Sequence, residues 1–96
     1  MLFIWLRNDF EICLPIEDIA EIVHRKKYYN GHKYYVRSKT DGKRWFIQRE
    51  KSYIKMKEIW FGYLRAKERG EINSYAELSF GSYQITIDDT GSDDKE

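Results

Sequence analysis

Two dipeptides, Asn30-Gly31 and Asp41-Gly42, restrict this chain more than any other feature. A tight two-residue hairpin needs positive φ at both central positions, which Asn-Gly and Asp-Gly tolerate and most other pairs do not. Strand-prone residues flank both: Tyr28-Tyr29 and His32 to Val36 around the first, Lys43 to Ile47 after the second. The pattern predicts three antiparallel strands over 22–29, 32–39 and 43–48. In two-residue registers, Tyr29 opposes His32, Lys27 opposes Tyr34 and Arg25 opposes Val36, while Ser38 opposes Trp45 and Val36 opposes Ile47. Side chains alternate between the faces of a strand, so these registers sort the residues. Val23, Tyr29, Tyr34, Val36, Trp45 and Ile47 share one face, a seat for a helix. His24, Lys26, Tyr28, Lys33, Tyr35, Arg37, Lys39, Arg44 and Phe46 share the other, which holds five Lys+Arg and no acid.

The rest of the chain supplies what that meander needs for a core. Leu2 to Leu6 and Phe10 to Leu14 flank the Arg7-Asn8-Asp9 turn and read as a first hairpin, its opening strand apolar on both sides and hence central or covered twice. After Pro15, the segment from Ile16 reads as a short helical turn running into a strand near residue 22. Tyr53, Met56, Trp60, Tyr63 and Leu64 recur at helical spacing between Glu50 and Arg69, and Gly70 stands where a left-handed C-cap belongs. Ile59 and Phe61 widen that apolar arc. Tyr75 to Phe80 and Tyr83 to Ile87, around Gly81-Ser82, read as a last hairpin. The expectation is an α+β fold: a small antiparallel sheet of hairpins packed on one main α-helix in the C-terminal half. Residues 1–87 form one domain in this reading, and 88–96, without an apolar residue, a flexible acidic tail.

Net charge is only +1, yet it is segregated. Residues 1–23 carry five acids against Arg7, a balance of −4; residues 24–69 carry fifteen Lys+Arg against four acids, or +11; residues 70–96 carry seven acids against Lys95, or −6. A basic block of that size attracts polyanions. Cations that release phosphate counterions, interleaved with rings that stack on bases, suit nucleic acid. The expected contacts are Lys26, Lys33, Arg37, Lys39 and Arg44 on phosphates, with Tyr28, Tyr35 and Phe46 as stacking or packing groups.

No catalytic constellation competes with that reading. A phosphate-binding glycine loop, an HExxH pair and a GxSxG elbow are all missing. The single cysteine, Cys13, excludes an internal disulfide and reads as an inert core residue of the second strand. His24 and His32 fall on opposite faces in the registers above, so they do not converge on a metal. The apolar run Leu2–Leu6 is too short for a membrane span and, without a basic region before it, does not read as a secretory signal. The expectation is a non-enzymatic, cytoplasmic binding protein without cofactor or metal, whose partner is nucleic acid or a host nucleic-acid-binding protein. A homodimer through the aromatic arc of the helix is a further reading.

The opening strand, the Arg7-Asn8-Asp9 turn, the second strand and Leu14-Pro15-Ile16-Glu17-Asp18-Ile19 resemble the start of LytTR-type DNA-binding domains and of some short flagellar-operon proteins. That likeness covers only the opening and carries over no functional residue. In overall style (short, aromatic-rich, charge-segregated) the chain is similar to accessory proteins of phages and mobile elements, including anti-CRISPR inhibitors of host defence. This implies an alternative: a phage- or mobile-element-encoded inhibitor of a host nucleic-acid-processing protein. It would use its acidic ends as a phosphate mimic, or Trp5, Trp60 and Phe61 as hot spots.

Overall fold

The computed structural model describes residues 1–9, 11–26 and 31–90. Alternation sets the first sheet: Leu2, Ile4 and Leu6 are fully buried, while Phe3 and Trp5 look the other way and are half-buried. Strand β1 (Phe3–Arg7) pairs antiparallel with β2 (Glu11–Pro15), whose Ile12 and Leu14 join the same buried face. A 3-10 turn over Ile16–Asp18 then leads into β3 (Ile19–Lys26), which pairs with β4 (His32–Ser38) and, beyond it, β5 (Arg44–Ile47) in a second, all-antiparallel sheet. Helix α1 (Glu50–Arg69) follows, then α2 (Ile72–Phe80) and β6 (Gln84–Asp88). Strand β6 returns to lie parallel to β1, so the first sheet runs β2-β1-β6. The fold is α+β, with the main helix in the C-terminal half as expected.

The core forms where the inner faces of both sheets meet the helices. Ile4, Leu6, Ile85 and Ile87 from the first sheet, Tyr34, Val36 and Ile47 from the second, and Met56, Ile59 and Tyr63 from α1 make one cluster. Each fully buried aliphatic side chain contributes ~1.5–3 kcal/mol relative to exposure, which is how so short a chain supports two sheets. Gly70 ends α1 at φ 72°, and the N–H groups of Gly70 and Glu71 return to Lys67 and Ala66 carbonyls.

Several expectations need correction. Residues 75–80 are helical, not a strand: Ile72, Ala76 and Phe80 recur every four residues, and Ala76 is fully buried. The C-terminal strand therefore has no hairpin partner beside it in sequence and joins the N-terminal strand instead. Leu64 lies exposed, while Ile59 takes the core position. Cys13 is exposed on the outer side of β2, because the inward positions of that strand belong to Ile12 and Leu14.

The acidic C-terminal segment also begins later than its composition implies. Asp88 closes β6, and Asp89 is fully buried with its carboxylate at the N-terminus of α1. Its two oxygens accept the backbone N–H groups of Gln48 at 2.6 Å and Arg49 at 2.9 Å. Arg49 Nη1 in turn donates to the carbonyls of Asp88 and Thr90. Residues 91–96 lie outside the described residues.

Candidate nucleic-acid interface

Register decides which side chains of the second sheet look away from the core. The β4–β5 pairs are Tyr34↔Ile47, Tyr35↔Phe46, Val36↔Trp45 and Arg37↔Arg44. These are shifted by two residues from the expected pairing, because the connection is longer than two residues: Ser38 N–H donates to Lys43 O and Gly42 N–H to Ser38 O. An even shift preserves faces. Lys33, Tyr35, Arg37, Arg44 and Phe46 accordingly share the outer face, as expected.

The β3–β4 pairs are Ile22↔Val36, Val23↔Tyr35, His24↔Tyr34, Arg25↔Lys33 and Lys26↔His32. Here the shift from the expected register is three residues, so every β3 side chain changes face. Val23 and Arg25 look outward; His24 and Lys26 do not. Lys26 is exposed at the end of β3 on the helix-side parity, away from the expected site. Lys39 stands in the loop after β4, where its backbone N–H donates to Asp18 O, and it is not on the face. Tyr28, and the Asn30 half of the expected Asn-Gly turn, lie outside the described residues.

Three rungs therefore make up the outer face. The middle rung is Val23, Tyr35 and Phe46; on one side lies Arg25 beside Lys33, and on the other Glu21, Arg37 and Arg44 in a row. Glu21 is the acid that sequence reasoning missed on this face, and its carboxylate meets Arg37 Nε at 2.6 Å. Arg25, equally missed, donates through Nε to the Tyr35 hydroxyl at 3.3 Å. Arg44 lies over the Tyr35 ring at 5.3 Å, and the Lys33 ammonium over the Phe46 ring at 4.9 Å. Tyr35, only 3% exposed, is thus roofed by guanidinium groups, while Phe46 keeps 47% of its surface in solvent. Phe46 is the ring that can take a base directly; above Tyr35 the flat guanidinium of Arg44 offers the stacking plane.

Two adjacent tyrosines report opposite surroundings. The hydrogen bond from Arg25, with help from Arg44, holds the Tyr35 hydroxyl below its ordinary pKa. Burial, with Glu50 nearby, pushes Tyr34 above it. One residue apart in sequence, they face a cationic surface and an apolar interior.

The histidines meet, contrary to expectation. With β3 turned over, His24 Nε2 and His32 Nδ1 approach to 2.8 Å, and both rings stack near Tyr34 on the helix side of the sheet. Ring centroids 5.0 Å apart at that N···N distance put the two nitrogens nearly in line, the geometry of an N–H···N hydrogen bond whose donor depends on the tautomer. Among the described residues no group of three or more His, Cys, Asp or Glu side chains gathers as a metal site.

Sequence carried one signal for the reversal. Ile19 and Ile22 are three apart and both apolar, which strict alternation forbids unless a bulge lies between them, and the ladder does slip between Ile19 and Glu21. Among the described residues no helix is long and apolar enough to cross a membrane. Set against known proteins, the chain matches no family model, no curated protein and no solved structure.

Proposed function

We propose that this protein is a nucleic-acid-binding domain whose contact surface is the outer face of β3-β4-β5. One observation carries the reading: two like-charged pairs stand directly opposed on that face, Arg25 against Lys33 and Arg37 against Arg44. Directly opposed like charges destabilise a sheet. Among the described residues Glu21 makes an ion-pair contact with Arg37 and acts on Arg25 only at longer range, so Arg25, Lys33 and Arg44 remain on the face with exposed Phe46 as cations that a line of phosphates would compensate. Three phosphate contacts predict a slope of log K against log salt of about −2 for a single strand. Affinity should then fall ~20-fold between about 50 and about 200 mM salt.

Anisotropy titration of labelled DNA and RNA, single- and double-stranded, at those two salt levels tests this. Arg25→Ala and Arg44→Ala should each flatten the slope by about one phosphate. Lys26→Ala should leave it unchanged, since Lys26 is not on the face. A slope that ignores Arg25 and Arg44 would refute the assignment.

A second reading, an inhibitor that binds a host nucleic-acid-processing protein, draws support from the helices. Leu78 is 87% exposed on α2, and Phe61 on α1 stacks on Trp60 at 5.6 Å with its own ring half in solvent. Failure of all four nucleic acids to bind, with a partner captured by wild type and lost with Phe61→Ala or Leu78→Ala, would favour it.

A further inference from the structure

A shallow cleft of about 270 Å³ opens at the edge of β5, where Asn8 and Asp9 come up against the second sheet. Its floor is apolar, made by Ile12, Trp45 and Phe46; Asn8, Asp9 and Gln48 form the polar rim, and Arg44 closes the side next to the basic face. Two side-chain hydrogen bonds hold the walls together. Asn8 Nδ2 donates to Phe46 O at 2.9 Å, and Gln48 Nε2 to Asp9 Oδ2 at 2.9 Å. Phe46 and Arg44 therefore belong to the outer face and to the cleft at once.

We infer that this cleft receives one unpaired base of a single-stranded nucleic acid while Arg44 holds the adjoining phosphate. The inference rests on the reading proposed above and deepens it by naming the strand type. Two features of the cleft agree on the occupant. An apolar lining with amide groups at its rim suits a ring that is aromatic on its faces and polar on its edge. The Trp45 indole N–H is buried with no hydrogen-bond partner among the described residues, a state that native proteins rarely leave unexplained. Because that donor is buried, a base edge brings its carbonyl or ring-nitrogen acceptor to it only as the Trp45 side chain shifts on binding. A duplex keeps its bases in the stack and presents none to a cleft at the face's edge.

The experiment compares three probes by anisotropy at low salt: a mixed-sequence single strand, the same strand as a duplex, and an abasic strand with the same phosphates. Wild type should bind the intact single strand ~10-fold or more tighter than the other two, on the scale of one base–ring stack. Phe46→Ala should erase that preference while the salt slope stays as it was. Phe46→Leu keeps apolar bulk in the strand without a flat ring, and should erase it too. Trp45→Phe, which removes only the unpartnered donor and some bulk, should weaken the intact strand alone. Equal binding of all three probes, with the slope still dependent on Arg25 and Arg44, overturns the base cleft and leaves the basic face standing. No binding of any probe overturns both.

Discussion

Replacing Asp89 with alanine removes the acceptor for two N–H groups at the start of α1, a helix whose own N-cap residue, Arg49, offers no side-chain cap. A lost N-cap in a surface helix costs ~0.5–2 kcal/mol, because water replaces the missing acceptor. Asp89 is 0% exposed, so water cannot enter without a cavity, and hydrogen bonds to a buried charged group contribute ~1.5–3 kcal/mol each. Against this, the variant no longer buries a carboxylate, which offsets part of the loss. The balance is about 3 kcal/mol, a Tm lower by roughly 12–24 °C in a domain of this size. Asp89→Asn keeps one acceptor oxygen and should fall between the two. Urea titration followed by tryptophan fluorescence, fitted with a shared m-value, reads these differences. Removing residues 91–96 should leave the midpoint in place, whereas ending the chain at Asp88 should match or exceed the alanine loss. An alanine variant within ~0.5 kcal/mol of wild type would refute the capping role, since even an exposed cap is worth that much.

Other substitutions test separate parts of the structure. A Cβ on Gly62 would lie 2.5 Å from the Tyr75 hydroxyl and 2.9 Å from its ring, where α2 crosses α1. Gly62→Ala should therefore destabilise by ~1–2 kcal/mol, overpacking outweighing the ~1 kcal/mol that alanine gains in a helix, and a Tm at or above wild type would contradict it. Hydrogen bonds from Thr40 and Ser38 hold the Asp18 carboxyl below its usual pKa of 3.8. A lowered folded-state value contributes stability above the unfolded value and loses it as pH falls through the folded one. Asp18→Asn should thus flatten the loss of stability below about pH 4 without abolishing it, because Asp88 is lowered in the same direction by Thr90. Urea midpoints across the acid range check this, and an unchanged acid limb would speak against it. Glu21→Gln frees Arg37 and should steepen the salt slope of nucleic-acid binding by about one phosphate; a slope no steeper than wild type would mean Arg37 does not reach the ligand.

Local chemistry was legible wherever a pattern repeats within a turn or two. The α1 helix and its Gly70 cap follow from spacing alone, although Leu64 of the expected stripe lies exposed; that Leu2, Ile4 and Leu6 rather than Phe3 and Trp5 turn inward does not, since the strand is apolar on both sides. Five of the eight residues of the candidate face followed too: Lys33, Tyr35, Arg37, Arg44 and Phe46 sit together because the β4–β5 connection departed from expectation by an even number of residues. Arg25 and Glu21 did not follow, nor did the meeting of His24 with His32, because the β3–β4 register departed by an odd number. In a strand of period two, parity is everything about which face a residue takes, and parity depends on connection length and on the bulge near Ala20 rather than on the residues it sorts. The cap on α1 lay further still from sequence pattern. Asp89 looks like one more charge in an acidic tail, and only the parallel return of β6 beside β1 carries it to the start of a helix some forty residues earlier. Sequence alone determined the main helix and the strands outside residues 75–80, since hydrophobic periodicity and turn chemistry act between neighbours. Tertiary structure decided which face is basic, which strand β6 joins and what closes α1, since each depends on a contact between residues that no local pattern links.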